Sequence, residues 1–459
     1  MSFAVIVLAA GKGTRMKSDL PKVLHRASGR SLLDWVLATA KPLSADETVV
    51  VIGHGADAVA ESLPDGVVSV VQEPQLGTGD AVRVGLGACN DAVDTVLVVP
   101  GDMPLLEAET LVEMVKTHHS AGAAGTVLTA KVEDPTGYGR VERRGAQVVR
   151  IVEHRDADER QLAIDEVNTS VYVFDKPPLA AALAKLSTDN SQGEYYLTDV
   201  IGILNHGGHR VAGVVADAVE GTGVNSHSQL AGVAQILRSR VNERLMAGGV
   251  AMVDPERVYV DADVEVAAGA HIYPDVHLEG ATVVGAGAEV GPNVHARNTT
   301  IAPGATVRFS VLDGASVGPE ANVGPFTYLR PGADLGERSK AGAFVEIKNS
   351  SVGEGSKVPH LSYIGDATIG TGSNIGAATV TVNYDGYEKH RTEIGDGVRI
   401  GSDTMLVAPV TIGDGAFTGA GSVITKDVSP GALAIERSPQ REIPGYAERR
   451  KRRAAQDEE

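Results

Sequence analysis

Residues 8–22 read Leu-Ala-Ala-Gly-Lys-Gly-Thr-Arg-Met-Lys-Ser-Asp-Leu-Pro-Lys. They complete an almost wholly apolar run, Phe3 to Ala10, whose pattern predicts a buried strand. The loop that follows carries Lys12, Arg15 and Lys22. Glycines let backbone N–H groups approach phosphates closely, and the cations neutralise their charge. A loop of this kind at a strand's carboxyl end is where a parallel α/β sheet places its ligand. Gly11 and Gly13 do not complete the dinucleotide fingerprint, because Met16 stands in its last glycine position, and no Gly-Lys-Ser/Thr follows to make a P-loop. On these residues alone the stretch is either a phosphate loop of another kind or an ordinary strand-to-helix turn.

The chain has 459 residues, enough for two or three domains that each bury a core. A net charge of −18 argues against nucleic acid or an anionic membrane as the main partner. Any phosphate site must then be a local basic cluster in an acidic background. Cys89 is the only cysteine, which excludes internal disulfides and Cys-based zinc sites and fits a reducing, cytoplasmic setting. No basic leader precedes the first strand, and no segment reaches the ~18 uninterrupted apolar residues of a membrane span. Aromatics make up 4% of the chain while glycine numbers 54, a combination that points to a repetitive β architecture. Cys89 and Trp35 read as packing residues.

Across residues 1–227, apolar runs at Val49–Ile52, Val67–Val71, Val96–Val99, Thr126–Ala130, Val148–Val152, Val171–Phe174 and Val211–Val215 alternate with helical stretches at Leu32–Ala40, Gly79–Gly87 and Glu109–His118. This alternation predicts an α/β domain with a mostly parallel, Rossmann-like sheet. Leu230, Val233, Leu237, Val241 and Leu245 then recur at spacings of three and four, and Gly248-Gly249 supplies a stop. The pattern predicts a linker helix over 228–248, spanning ~30 Å at ~1.5 Å per residue.

From about residue 258 the period becomes six. Val258 and Val264 open it, and Val284 and Val290 continue it. Val317, Val323, Leu329 and Leu335 keep register, as do Val352, Val358 and Ile364, and then Ile394, Ile400, Leu406 and Ile412. A hexapeptide repeat with one inward aliphatic residue predicts a parallel β-helix, here over 249–459. The hexads lapse at 336–351 and 377–393, and both lapses are expected to be insertions that project as loops.

The opening string resembles the signature of nucleoside-diphosphate-sugar pyrophosphorylases, Leu-x-x-Gly-x-Gly-Thr-Arg-Met followed by Pro-Lys. Gln72-Glu73-Pro74-Gln75-Leu76-Gly77-Thr78-Gly79 resembles the base-reading segment of uridylyltransferases. A glutamine offers both the donor and the acceptor that uracil's imide edge requires. The resemblance implies nucleotide contacts from Leu8, Ala9, Ala10, Gly11, Lys22, Gln72, Gly77, Thr78 and Asn225. It assigns Mg²⁺ to Asp102, in Gly101-Asp102 at a strand's end, and to Asn225 in Gly223-Val224-Asn225-Ser226, oxygen donors of the kind this hard ion prefers. Pro100 stands where some relatives carry an aromatic or hydroxyl residue, so that side-chain contact is not expected here. Gly137-Tyr138-Gly139-Arg140, Val152-Glu153-His154 and Asn168-Thr169 match the family's sugar-binding segments in order and spacing. Gly139, Glu153 and Asn168 are thereby implied to hold an N-acetylhexosamine. The implied chemistry is attack of a sugar-1-phosphate oxygen on the α-phosphorus of UTP, with Arg15 beside the leaving pyrophosphate and Lys22 beside the reacting phosphates.

The hexads resemble the left-handed β-helix of hexapeptide acyltransferases, an exception to the right-handed crossover rule. Arg330, Lys348, Asn374, the string Val358-Pro359-His360-Leu361-Ser362-Tyr363 and Asn383-Tyr384-Asp385-Gly386 resemble glucosamine-1-phosphate acetyltransferases. Together the two halves are similar, over nearly the whole chain, to the bifunctional bacterial N-acetylglucosamine-1-phosphate uridyltransferases/glucosamine-1-phosphate acetyltransferases. The resemblance implies that Arg330, Lys348, Tyr363 and Asn374 hold glucosamine-1-phosphate. Ala377, Asn383, Tyr384, Ser402, Ala420 and Arg437 match acetyl-CoA positions, and Lys389 adds a phosphate contact. An amine attacks a thioester only when neutral, so a base is required, and His360 is suited to that near pH 7. A backbone N–H near Ala377 is a candidate oxyanion donor. Small-molecule substrates, a homotrimer with acetyl-transfer sites between neighbouring β-helices, and a product that feeds peptidoglycan and other envelope polymers are further implications.

Two other readings stay open: a single-activity nucleotidylyltransferase whose β-helix only oligomerises it, and a non-catalytic solenoid scaffold. The tail, Glu448-Arg449-Arg450-Lys451-Arg452-Arg453, reads as a solvated end, with contact to CoA phosphates as the alternative.

Overall fold

The computed structural model describes residues 2–457. The first apolar run is β1 (Ser2–Ala9), in which Ala4 to Val7 are fully buried. It is followed by α1 (Leu32–Ala40), β2 (Glu47–Ile52), α2 (Ala56–Ser62), β3 (Val68–Val71), α3 (Thr78–Ala88), β4 (Val93–Pro100), α4 (Ala108–Ala121) and β5 (Gly125–Lys131). The hairpin β6 (Arg140–Arg144) and β7 (Gln147–Val152) leads to β8 (Glu166–Asp175), α5 (Lys176–Leu183), α6 (Asp199–His206) and β9 (Val211–Ala216). The sheet runs β9-β5-β8-β4-β1-β2-β3, with the hairpin beside β8. β8 alone on this path is antiparallel to its neighbours, β4 and β5. The central strands are apolar throughout because helices cover both faces. Val82, Leu86, Leu179, Ile201 and Leu204 close one side, and Leu33, Val36, Leu111 and Met114 the other.

Two elements lie outside the runs singled out in the sequence. Strand β6 is rich in arginine; it pairs with β7, and Arg143 forms an ion pair at 2.6 Å with Glu166 on β8. Helix α5 begins Lys176-Pro177-Pro178, which reads as a breaker, but prolines in the first turn cost no hydrogen bond. As expected, Cys89 is a buried free thiol, and Trp35 packs with its Nε1 donating to Ala27 O at 2.8 Å.

The chain divides into two compact units, Met1–Val241 and Asn242–Glu459. The division falls inside α7 (His227–Ala247), a helix of 21 residues. In the first unit, Val233 and Leu237 pack with Met16, Leu32, Leu105 and Val224. In the second, Asn242 Nδ2 donates to Pro255 O and Val258 O, at 2.8 and 3.0 Å.

Beyond α7 the chain winds as a parallel β-helix of three sheets. Down one sheet the pairing advances from Glu265 to Val283, Thr300, Ser316, Asp334, Ser351 and Thr368, or 16 to 18 residues per coil. Three hexads therefore make one coil. Every aliphatic residue of the predicted register is at most 4% exposed. Buried hydroxyls at the corners are satisfied by carbonyls, as in Thr327 Oγ1 to Gly342 O at 2.8 Å and Ser373 Oγ to Gly395 O at 2.8 Å.

The two expected insertions have different outcomes. Residues 336–351 form no loop: Ala341 and Ile347 occupy the inward places and are fully buried. The repeat merely shortens by one residue between Ile347 and Val352, and alanine hides the period. The second lapse is a true insertion, because pairing jumps from Thr368 to Glu393 before resuming at Thr411. At the end of the chain, Tyr446–Gln456 form the helix α8, whose residues are exposed on every side.

Leu329→Ala, which hollows the coil, should destabilise the second unit by about 2–5 kcal/mol. Tyr387→Ala, at a side chain 93% exposed, should change stability by no more than about 0.5 kcal/mol. Denaturant midpoints for the second unit's transition check both.

Candidate active sites

In the first unit β1 and β4 are parallel and in register, Leu8 beside Pro100, so their carboxyl ends open at one sheet edge. Gly101 N donates to Leu8 O at 2.8 Å, which seats Asp102 beside Leu8, Ala9, Ala10 and Gly11. Val224 N donates to Asp102 O at 3.0 Å and brings the Gly223–Ser226 loop to the same place. Gly13 has φ +58°, and a Cβ there would lie 2.8 Å from Lys22 Cβ, so the glycine loop folds directly onto Lys22. Lys22 Nζ pairs with Asp102 Oδ2 and donates to Asn225 Oδ1 at 3.2 Å. Met16, 1% exposed, packs in one cluster with Val224 and so anchors the loop that bears Arg15. Arg15 itself is exposed.

Asp102 and Asn225 thus aim two oxygens at one cationic position. That donor set fits Mg²⁺, which takes few protein oxygens and leaves its other positions to phosphates and water. Among the described residues no cluster of three His, Cys, Asp or Glu is placed to hold a metal by itself.

A second group lies on β6, β7 and β8. Asn168 N donates to Gly139 O at 2.9 Å, and a Cβ on Gly139 would sit 3.6 Å from both Glu153 Oε1 and Asn168 Cβ. The three expected sugar contacts are therefore brought together. Asn168 Nδ2 donates to the Tyr172 hydroxyl at 2.8 Å, and Oδ1 accepts from Ser170 N at 3.1 Å. Thr198 Oγ1 donates to Glu153 Oε1 at 3.1 Å. Burial pushes the Glu153 carboxyl above the usual range, the Thr198 hydrogen bond opposes that, and Asp156 and Asp199 add to it.

Gln72 is buried, and its Nε2 gives its hydrogens to Gly77 O at 3.0 Å and Asp80 Oδ2 at 2.8 Å. Its donors brace the Gly77–Thr78 turn from within the protein. Thr78 Oγ1 in turn accepts from Leu197 N at 3.1 Å.

In the second unit, bridges run from Lys357 to Asn374, Arg399 and Phe417 in successive coils. Three residues past each bridge stand His360, Ala377, Ser402 and Ala420, which form one column along a corner of the coil. His360 O accepts from Ala378 N, Ala377 O from Asp403 N and Ser402 O from Gly421 N, at 3.2, 2.7 and 2.8 Å. The last carbonyl, Ala420 O, accepts from Arg437 at 2.7 Å, so this guanidinium replaces a missing coil. A Cβ on Gly376 would meet Gly401 C and Ser402 N at 2.5 Å, so only glycine lets these coils stack under the column.

Arg330, Lys348 and Tyr363 lie on the adjoining sheet. Arg330 donates to Glu346 at 2.8 Å, and Lys348 pairs in register with Gly365. Tyr363 OH and Asn383 Nδ2 both flank Gly365. The structure thus groups Asn383 with Tyr363, and places Lys389 against Lys348, whose like charge lowers its pKa. Asn374 falls with the His360 column instead. Tyr384 sits in the inserted hairpin, bridged to Lys389.

Both units match known families. Residues 5–197 match the MobA-like NTP transferase domain, and residues 391–426 match the six-repeat bacterial transferase hexapeptide family. The chain is 54% identical to the Bifunctional protein GlmU of Streptomyces avermitilis over 98% of its length and 94% of the relative's. Identity to the same-named protein is 55% in Streptomyces coelicolor, over 98% and 94%, and 49% in Corynebacterium glutamicum, over 98% and 95%. The chain belongs to the GlmU family.

Like its GlmU relatives it is a bifunctional enzyme, a nucleotidyltransferase joined to a hexapeptide acyltransferase. The hexapeptide match gives its coil the left hand expected from the repeats. Among the described residues no helix is long and apolar enough to cross a membrane. Thr198, Glu346, Asn349 and Asp366 support these sites but escape a reading of the sequence, because each acts through a partner distant along the chain. Only the alternation Glu346-Ile347-Lys348 gives a local signal, with charges outward and the aliphatic inward.

Thr198→Val removes the bond that favours the ionised form of Glu153. Its titration midpoint should move further up, and Glu153→Gln should abolish the signal, as read by carboxyl ¹³C NMR.

Proposed function

We propose that the chain makes UDP-N-acetylglucosamine in two steps. It acetylates glucosamine-1-phosphate with acetyl-CoA, then transfers UMP from UTP to the product and releases pyrophosphate. The observation that carries the bifunctional reading is the column His360, Ala377, Ser402, Ala420, closed by Arg437. A β-helix that serves only for oligomerisation or as a scaffold needs no such column beside cationic residues on the adjoining face.

In acetyl transfer the amine nitrogen of the sugar bonds to the thioester carbonyl carbon. His360 takes the amine proton, and the carbon–sulfur bond then breaks to release CoA, which takes up a proton. Arg330, Lys348 and Lys389 neutralise the sugar's phosphate, with Tyr363 and Asn374 beside it. Ala377, Ser402 and Ala420, with Asn383, Tyr384 and Arg437, line the CoA track, where a backbone N–H near Ala377 faces the oxyanion.

In uridylyl transfer the sugar phosphate oxygen bonds to the α-phosphorus of UTP, and the bond to the β-phosphate breaks. Lys22 neutralises the phosphates near the reacting centre, and Arg15 stabilises the departing pyrophosphate. Gly139, Glu153 and Asn168 hold the N-acetylhexosamine. Leu8, Ala9, Ala10 and Gly11 border the nucleotide, and Gln72 shapes the Gly77–Thr78 turn on its base side. Asp102 and Asn225 would hold Mg²⁺, which when bound supplies charge neutralisation for the triphosphate.

A homotrimer follows from the same reading. Within one chain the His360 column and the Arg330–Lys348 pair lie on adjoining faces, so a neighbouring β-helix supplies the opposite wall of a closed site. Phe309, Phe326 and Phe344 follow one another at successive corners, the last two stacked, are 39 to 59% exposed, and give such a neighbour an apolar strip to cover. The substrates and the reduced thiol fit a cytoplasmic enzyme.

Supplied with glucosamine-1-phosphate, acetyl-CoA, UTP and Mg²⁺, the chain should yield UDP-N-acetylglucosamine. Without acetyl-CoA the product should appear only when N-acetylglucosamine-1-phosphate is given. Asp102→Ala should lower uridylyl transfer about 100-fold or more and spare acetyl transfer; His360→Ala should do the reverse. Unchanged acetyl-CoA turnover in His360→Ala would refute its role as base.

A further inference from the structure

The inserted hairpin brings Asn383, Tyr384 and Lys389 to the acetyl-transfer site, yet it interrupts the coil ladder that holds everything around it. One residue bonds to both of its ends. Asp366 follows the strand Tyr363–Gly365, is 6% exposed, and has φ +50°. Its Oδ2 accepts from Asn383 Nδ2 at 2.5 Å, where the insertion leaves the coil. Its backbone carbonyl accepts from Thr392 N at 3.2 Å, where the chain returns. Its Oδ1 accepts from Asn349 Nδ2 at 2.6 Å, one coil earlier, and its N–H donates to Lys348 O at 3.1 Å.

Both ends of the hairpin and the backbone of Lys348 therefore meet at Asp366. Between those ends the hairpin is organised by Asp385, which accepts from Tyr387 N and Glu388 N and contacts His390 Nε2 at 2.8 Å. The hairpin is thus a preformed piece, bonded at both ends to Asp366 and also through Arg391 to Thr368 Oγ1 at 3.0 Å. Lys348 and Lys389 lie close enough to repel each other, and Asp366 is the carboxylate that acts on both. Burial disfavours its charge, but the two amides, with the lysines beyond them, hold its carboxyl below the usual range.

We infer that Asp366 is a positioning residue for acetyl transfer, holding the hairpin and the Lys348–Lys389 pair in place for the phosphate of the amino-sugar acceptor. The inference rests on the acetyltransferase reading given above.

Asp366→Asn separates this role from bulk. The new amide group keeps the size but sets a donor against the donor of Asn349 or Asn383, and it removes the negative charge that acts on both lysines. In the full chain, KM for glucosamine-1-phosphate should rise about tenfold or more while kcat changes little. Uridylyl transfer, measured on the same sample, should be unaltered. The double variant Asn349→Asp/Asp366→Asn restores an acceptor opposite each amide donor and retains one carboxylate. It should bring KM back to within about threefold of the unaltered chain.

An unaltered KM in Asp366→Asn overturns the inference, and so does a double variant whose KM stays raised. Parallel losses in KM, kcat and thermal midpoint that the double variant does not recover mark a merely structural role and also overturn it. Should Asp366→Asn fail to fold, the double variant decides by its KM alone. If the unaltered chain transfers no acetyl group at all, the acetyltransferase reading has failed first, which is a distinct result.

Discussion

Successive coils of the second unit must meet backbone to backbone, N–H to C=O, at a spacing of about 4.8 Å. That requirement dictates the rest of the unit. It leaves room inside for one aliphatic side chain per hexad, and it puts residues such as Phe344, Leu361 and Ala378 at the corners in the left-handed region. It also leaves most outward side chains out of the core, so chemistry can be assembled as columns without disturbing it. The column ending in Ala420 shows the requirement at its limit, because Arg437 supplies by side chain the donor that another coil would have given.

The first unit meets a different constraint. Its sheet is covered by helices on both faces, so polar chemistry is confined to the strand ends. Three segments far apart in sequence, around Lys22, Asp102 and Asn225, converge there. Each is held by main-chain bonds or buried apolar contacts, so the charged groups are placed by packing and not by their own attraction. Ser226 and Gln229 extend this logic: Gln229 Oε1 accepts from Asn225 N at 2.8 Å, which ties Asn225 to the first turn of α7.

What could be read from the sequence follows from the range of the interactions involved. Period-six aliphatics and the strand before the glycine loop are local signals, and each residue in them is buried as its spacing requires. Ala341 broke the visible period without breaking the coil, because the ladder tolerates a smaller inward side chain and one residue fewer at a turn. The arginines of β6 hid a strand whose charge is balanced by Glu166, a partner outside any local window. The internal bonds of Gln72 could not be read from the sequence, since Gly77 and Asp80 meet its donors only once the turn has folded. Asp366 was invisible for the same reason: its partners, Asn349, Asn383 and Thr392, come from different coils.

A ladder of equal steps can change length only in whole steps. From His360 through Ala377 and Ser402 to Ala420 is three of them, roughly 14 Å at the strand spacing. The second unit is therefore built as a graduated scale with an imidazole, His360, at one mark and the Arg437 guanidinium just past the last. Gain or loss of a coil between those marks would alter the reach by a full strand spacing. The interval between those marks therefore admits no small adjustment.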